Sequence, residues 1–496
     1  MKKSKVQGLA RLLLCAEIRG NPCKRRTPFL ACSISHRNAF LNLGLYPSLN
    51  SQLSLCFCLA RLVSWAAGAA RENEDEREQR DMRICVLGGG VIGVTTAYFL
   101  ARDGHQVTLV ERHADVAQET SHANGGQLSY SYVAPLADPS VLPKLPQWLF
   151  SREAALRFVP RLDPRQWRWC VAFLRACTRA RSRATTAELL GLGFLSQRLM
   201  HEIVAREALA FDYVRNGKLV VYRDREAFEG ARSQAGYQAQ FGCEQHALDG
   251  AACVALEPAL AHIGGELAGG IHTPGEEAGD CDSFTRGLAH AAQRDGVDLR
   301  LATEFSGLRT KGLRVLAAVT SAGEIEADAF VVCLGFQSQP MLASLGVSVP
   351  MYPLKGYSLT LPNASARGAP RVSVTDAHHK VVYALLGERL RIAGMVDLTG
   401  MSAHADNERI ALLTRQARET FPAAGDYGAI QTWTGMRPAT PDSKPLIGAT
   451  QFRNLWMNTG HGALGFTLAC GSAQLMADLL AGHELALDGD PFAPGR

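Results

Sequence analysis

Arg83-Ile84-Cys85-Val86-Leu87-Gly88-Gly89-Gly90-Val91-Ile92-Gly93 is the stretch that decides how the rest of this chain is read. Its first five residues are mostly apolar and predict a buried strand. Gly88, Gly90 and Gly93 follow at G-x-G-x-x-G spacing, and Val91 to Ala101 carries apolar residues at helical intervals. A second apolar run, Val107-Thr108-Leu109-Val110, ends on Glu111. Gly88 permits the tight turn, Gly90 lets backbone N–H groups approach a pyrophosphate, and Gly93 allows close helix–strand contact. The helix N-terminus offers partial positive charge to phosphates, and Glu111 stands where a carboxylate accepts bonds from ribose hydroxyls. Strand, glycines, helix, strand and acid in one unit predict dinucleotide binding; a lone glycine turn in another α/β protein is the bland alternative. The candidate cofactor-binding residues here are Ile84, Cys85, Val86, Leu87, Gly88, Gly89, Gly90, Val91, Ile92, Gly93, Val94, Thr95, Thr96, Ala97, Tyr98 and Glu111.

The 496 residues suffice for two or three domains with sizeable cores. An apolar fraction of 47% and a charged fraction of 20% are those of an ordinary globular chain. The net charge of +5 is unevenly placed. Residues 1–81 hold 13 Lys/Arg against 7 Asp/Glu, hence +6, and the remainder holds 39 against 40, hence −1. The body therefore offers no bulk electrostatic case for nucleic acid. Five of the 13 cysteines precede Asp81, and the other eight are scattered without CxxC pairs or metal-ligand spacing. That pattern points to no metal and to a reduced, cytoplasmic setting.

Residues 1–81 carry no clear fold pattern and end in the charge run Arg71 to Glu78. Leu53 to Ala70 approaches the length of a membrane span, but Arg61 lies mid-segment, where an arginine costs roughly 2.5–3.5 kcal/mol on insertion scales. An anchor, a targeting segment and sequence upstream of the true start all compete. The preferred expectation is that 1–81 is a leader, disordered or absent from the working protein, with Met82 as the functional N-terminus.

Beyond the first unit, Trp148, Trp167, Trp169 and many arginines occupy a helix-rich segment. Its basic run Arg175, Arg179, Arg181 and Arg183 reads as a solvated helix face, or more sharply as peripheral contact with an acidic membrane surface, on the inner face of the plasma membrane. Lys218 to Tyr222 alternates as a strand. Asp282 is a plausible N-cap for a helix to about Asp295 closed by Gly296, and Ala329 to Leu334 reads as a strand ended by Gly335. A strand-rich region, Tyr352 to Met395, precedes a helix from about His404 to Phe421. Leu455 to Asn458 enters the turn Thr459-Gly460-His461-Gly462, and a last helix runs to about Leu480. Nucleotide-type strands thus recur early, midway and late. The predicted organisation is 82–130, 270–345 and 431–487 in the nucleotide domain, with 131–269 and 346–430 in a second domain.

At this point motifs from Met82 to about Leu487 carry a resemblance. They are the glycine fingerprint, Glu119-Thr120-Ser121 with Asn124-Gly125-Gly126-Gln127, Gly279-Asp280-Cys281, Tyr352 to Thr360, Trp433-Thr434-Gly435-Met436-Arg437-Pro438, Thr440-Pro441-Asp442, and Leu455 to Gly465. The chain resembles the small subunit of the FAD-dependent D-amino-acid dehydrogenase family. The resemblance implies an α/β fold, a Rossmann-like FAD-binding domain with an interleaved mixed-sheet substrate domain of the glycine-oxidase and sarcosine-oxidase type. It implies oxidative deamination of D-amino acids, D-alanine-like, to 2-oxo acids and ammonia, with electrons passed to a quinone-type respiratory acceptor. Sarcosine oxidases attach flavin to a cysteine near the equivalent of Thr440-Pro441-Asp442; here Met436-Arg437-Pro438 precedes that stretch, so the FAD is expected to be non-covalent. His122 and Gly126 vary the loop associated with the flavin and leave the preferred side chain open.

On this reading Arg437 pairs with the substrate carboxylate through two parallel charge-assisted hydrogen bonds, as an arginine at this position does in similar flavin amine oxidases. Thr120, Ser121, Gly335, Gly460, Gly462 and Gly465 join the cofactor side, where the last helix directs its N-terminus at the flavin. His461 bonds the flavin or caps its turn. Tyr357 and Tyr130 are candidates for substrate hydrogen bonds, each as well suited to packing, and Lys355 faces either site or solvent. Three alternatives remain in the sequence: an oxygen-using amine oxidase, an NAD-dependent dehydrogenase, and a non-catalytic FAD-binding scaffold.

Overall fold

The computed structural model describes residues 82–145, 154–365, 367–402 and 404–496. The leader 1–81 and Trp148 lie outside the described residues. In chain order the main elements begin with β1 (Arg83–Leu87), α1 (Val91–Arg102) and β2 (Gln106–Val110). Then come β3 (Leu156–Phe158), α2 (Pro164–Ala176), α3 (Arg179–Glu207), β4 (Lys218–Tyr222), β5 (His246–Leu248) and β6 (Gly269–Thr273). The middle holds α4 (Cys281–Arg294), β7 (Asp298–Arg300), β8 (Ala329–Val332), β9 (Tyr352–Leu361), β10 (Ser373–Asp376), β11 (Val381–Leu386) and β12 (Arg389–Leu398). The chain closes with α5 (Asn407–Thr420), β13 (Gln431–Ala439), β14 (Leu446–Ala449), β15 (Leu455–Thr459) and α6 (Gly465–Ala481).

Two large sheets organise these residues. The first has six strands in the order β14-β15-β8-β1-β2-β7. Every pairing in it is parallel except β14 with β15. Parallel strands are buried on both faces and read as continuous apolar runs, which is why β1, β8 and β15 were visible as such. The second has nine, β13-β9-β12-β11-β10-β4-β6-β5, with β3 added beside β12. The architecture is α/β, a Rossmann-like sheet beside a mixed sheet.

Strand membership corrects the expected boundaries. β6 and β13 were placed with the nucleotide segments, yet β6 pairs with β4 and β13 with β9, so both belong to the nine-stranded sheet. Conversely α3, placed with the second domain, packs Leu189, Leu192 and Leu199 into the core that holds α1 and α6. A Cβ on Gly471 would come within 2.7 Å of Leu192 O, so the absence of a side chain lets α3 and α6 approach closely. The N-cap of α4 is also Asp280, not Asp282: Asp280 Oδ1 accepts from Ser283 N at 3.0 Å, and Asp282 sits in the first turn. Gly296 closes that helix with φ +97°, as expected.

The interior of the nucleotide half contains Cys85, Cys281, Cys333 and Cys470, and that of the other half Cys253. All eight described cysteines are free, and only Cys170 is not buried. Among the described residues no helix is long and apolar enough to cross a membrane, and no group of three or more His, Cys, Asp or Glu could hold a metal ion.

Candidate active site

Four glycines shape the turn between β1 and α1, and they are there for different reasons. Gly88 has φ +108°, a conformation that side chains rarely adopt, and a Cβ on Gly93 would strike Gly88 O. A Cβ on Gly89 would lie 2.9 Å from Glu111 Cβ. Gly90 differs: a Cβ there meets nothing nearer than Ser121 Oγ at 3.5 Å. Protein packing does not demand its bare backbone, whereas a phosphate seated at the α1 N-terminus would. Glu111 closes the corner, with Oε2 accepting from Gly89 N at 2.7 Å and Oε1 from His113 N at 2.9 Å. Two N–H bonds orient the carboxylate and leave further lone pairs for a ribose. The turn fits an FAD pyrophosphate and its ribose.

Distant segments converge on this corner. Ser121 Oγ accepts from Val91 N at 3.0 Å, and its neighbour Thr120 donates through Oγ1 to Met436 O at 2.9 Å, one residue before Arg437. Thr459 Oγ1 donates to Gly335 O at 3.1 Å, and Asn458 Nδ2 to Thr96 Oγ1 at 3.0 Å. Gly335, Gly460 and Gly462 have φ of +54°, +82° and +55°, so their turns require glycine by backbone conformation. Gly465 begins α6, near which Ala439 at the end of β13 bridges to His461. Arg437 and the turn before α6 are thus neighbours.

Other expected residues are committed elsewhere. Ile84, Val86, Val94, Ala97 and Tyr98 fill one core, and Cys85 and Leu87 another. Thr95 Oγ1 donates to Val91 O at 2.7 Å within α1, and Tyr98 donates its hydroxyl to Glu207 Oε1 at 2.7 Å. These groups support the turn from behind; Val91 and Ile92 start the helix itself. His461 does not cap its turn. Its Nε2 pairs with Ser472 Oγ at 2.9 Å, Nδ1 is buried without a partner, and burial pushes the ring down to about 3, so it is neutral at physiological pH.

Arg437 is half-buried and donates from one terminal nitrogen to Met395 O at 2.9 Å. Met395 has φ +59° where the β9–β12 ladder loses register between Lys355 and Tyr357. A Cβ on Gly356 would strike the guanidinium, which therefore lies flat on bare backbone. Burial lowers Arg437 to about 10 while Asp397 opposes that shift, so the group stays charged.

Tyr357 is a correction. Alternate residues of a strand point to opposite faces, and Tyr357 shares its face with Leu359 and Leu361 in the core that also holds Leu412 and Leu413 of α5. Arg437 pairs with Leu354 and lies over Gly356, on the other face. The Tyr357 hydroxyl donates to Asp397 Oδ2 at 2.8 Å and does not reach Arg437's side of the sheet. Lys355 turns the same way and donates to His404 O at 2.9 Å; Tyr130 is a core residue whose hydroxyl donates to Glu277 Oε2 at 3.2 Å.

Sequence reading missed Asp397. It is fully buried, with Arg157 at 2.6 Å and Arg409 at 3.0 Å, and it carries the Tyr357 bond as well. A second unforeseen cluster joins Lys218 Nζ to Ser129 Oγ at 2.8 Å. Burial lowers Lys218 and raises Glu276, while the attraction between the two opposes both shifts. Arg157 and Asp397 are single polar letters inside apolar strands, a signal that shows burial of charge only once the sheet is known, whereas Arg409, Lys218 and Glu276 stand beside or near other polar residues and carry no such mark.

The turn, the converging segments and the two sheets define a class: the chain belongs to the FAD dependent oxidoreductase family, whose model matches residues 83–479. Within it the chain is 49% identical over 425 residues to D-amino acid dehydrogenase 2 of Ralstonia nicotianae, covering 84% of this chain and 100% of that protein. It is 47% identical to D-amino acid dehydrogenase 2 of Pseudomonas aeruginosa, covering 83% and 98%. Among solved structures, glycine oxidase from Geobacillus kaustophilus superposes with TM-score 0.65 at 21% identity, over 84% of this chain and 99% of that one. That likeness concerns the fold alone.

Proposed function

We propose that this protein oxidatively deaminates D-amino acids to 2-oxo acids and ammonia, the activity its relatives are named for. The observation that carries the reading is Arg437: a half-buried guanidinium laid on a bare glycine, one bond from the loop whose Ser121 accepts from the first turn of α1. Bound FAD would supply the two-electron acceptor. The chain's own residues do the rest. Arg437 keeps one nitrogen on Met395 O and turns its remaining donors to a carboxylate, which fixes the α-carbon. The amino acid loses two electrons and two protons, and water then converts the 2-imino acid to product. His461, neutral and tied to Ser472, holds the turn before α6 and is not assigned a proton-transfer role.

Gly88, Gly89, Gly90, Gly93, Glu111, Ser121 and the turn Gly460 to Gly465 form our proposed FAD-binding set, held non-covalently. Gly90→Val tests it. Because φ there is −75°, the change should leave the apoprotein's melting temperature within a degree or two and weaken FAD affinity at least about tenfold. Wild-type FAD affinity in this variant would remove Gly90 from the set.

For the acceptor we propose a membrane quinone. The support is a surface: Trp167, Val171 and Leu174 project exposed from α2, and Leu162 beside it is fully exposed. Between Arg161 and Arg183, seven arginines stand against one aspartate. Exposed apolar side chains interspersed with arginine along the sequence suit the surface of an anionic bilayer, in keeping with a cytoplasmic protein peripheral to the inner face of the plasma membrane. The purified protein, given D- and L-alanine, should reduce a quinone analogue with the D-isomer only and release no peroxide. It should sediment with phosphatidylserine vesicles and not with phosphatidylcholine ones. Peroxide formed in proportion to substrate would instead favour the oxygen-using oxidase.

A further inference from the structure

The shelf on which Arg437 lies has a second occupant. Gly356 of β9 and Gly435 of β13 are register partners, so both present the same face of the sheet, with Cα atoms about 5 Å apart. Trp433 and Arg437 flank Gly435 at two-residue spacing and share that face. A Cβ on Gly356 would strike the Arg437 guanidinium, and a Cβ on Gly435 would strike the benzo-ring carbons Cη2 and Cζ3 of Trp433. The guanidinium and the indole edge therefore lie against two adjacent bare positions, side by side, with no side chain rising between them.

We propose that the Trp433 indole walls the subsite for the substrate's side chain and restricts the enzyme to compact D-amino acids. This rests on Arg437 as the carboxylate anchor. With the carboxylate on the guanidinium, the α-carbon stands above the layer that guanidinium and indole form over Gly356 and Gly435, and a substituent directed along β13 meets the indole first. The indole lays its benzo carbons over Gly435, so the wall beside the guanidinium is an apolar ring, which suits an alkyl group. The His122 ring stands 6.4 Å from the indole, tilted by 57°, and is paired with Asp282 at 3.2 Å. The His122 ring is thus a neighbour of the wall. Trp433 is half-buried, so its ring can be trimmed without opening the core beneath α5.

The test compares kcat/KM for D-alanine and D-phenylalanine in the wild type, Trp433→Phe and Trp433→Ala, all loaded with FAD. Filling or emptying space in an apolar subsite changes discrimination by about tenfold or more. The D-phenylalanine to D-alanine ratio should rise at least about tenfold in Trp433→Ala and by less in Trp433→Phe, with the flavin absorbance band unchanged. If Trp433→Ala does not fold, Trp433→Phe and Trp433→Leu carry the same comparison. An unchanged ratio in the folded variants overturns the inference, as does an equal loss for both substrates, which would place the indole against the amino group. Failure of the anchor reading looks different: Arg437→Met would then leave KM unaltered for every substrate, whatever Trp433 does to the ratio.

Discussion

Arg437→Met should raise KM for D-alanine by at least about a hundredfold while FAD stays bound. Each hydrogen bond between a guanidinium and a carboxylate contributes about 1.5–3 kcal/mol, so losing two removes roughly 3 kcal/mol or more, about two decades of affinity. Methionine keeps most of the bulk over Gly356 and has no donor to offer. Arg437→Lys should recover only part of the loss, because an ammonium cannot present the planar fork. The measurement is steady-state kinetics beside the flavin spectrum. A Met variant with wild-type KM and full FAD content would take Arg437 out of the substrate site.

Asp397→Ala should destabilise the holoenzyme by about 3–5 kcal/mol, the usual cost of stripping one member from a buried ionic cluster. Arg409 would lose its carboxylate partner Asp397, Arg157 would keep only Asp406 at 2.8 Å, and the Tyr357 hydroxyl would lose its acceptor. Because Asp397 also opposes the effect of burial on Arg437, the damage should reach substrate binding as well as the melting temperature. Tyr357→Phe removes a single bond and should cost only about 1 kcal/mol. Thermal unfolding of the three proteins side by side gives the answer; an Asp397→Ala melting point matching the wild type would show that the cluster carries no stability.

The two sites were unequally legible in sequence. Residues 83–111 spelled out strand, glycines, helix and acid because parallel strands buried on both faces leave continuous apolar runs. β9 is also buried along its whole length, and although Tyr357-Ser358-Leu359-Thr360-Leu361 alternates and groups Tyr357 with Leu359 and Leu361, the alternation does not say which face of the sheet carries the site. The irregularity at Met395 adds to this, since a bulge re-aims residues without a sequence mark. Asp282 was the expected cap of α4, but the backbone places the cap two residues earlier, at Asp280, with Asp282 in the first turn. Boundaries at 270 and 431 failed because β6 and β13 sit next to nucleotide segments in sequence and pair elsewhere in space.

The distribution of thiols offers an intrinsic stopwatch. Burial pushes Cys85 up to about 12 and Cys253 up to about 11, in separate cores. An alkylating reagent can reach either only when its own half opens. Peptide-resolved labelling rates would then time the breathing of each half independently, and adding cofactor should slow the clock at Cys85 more than at Cys253.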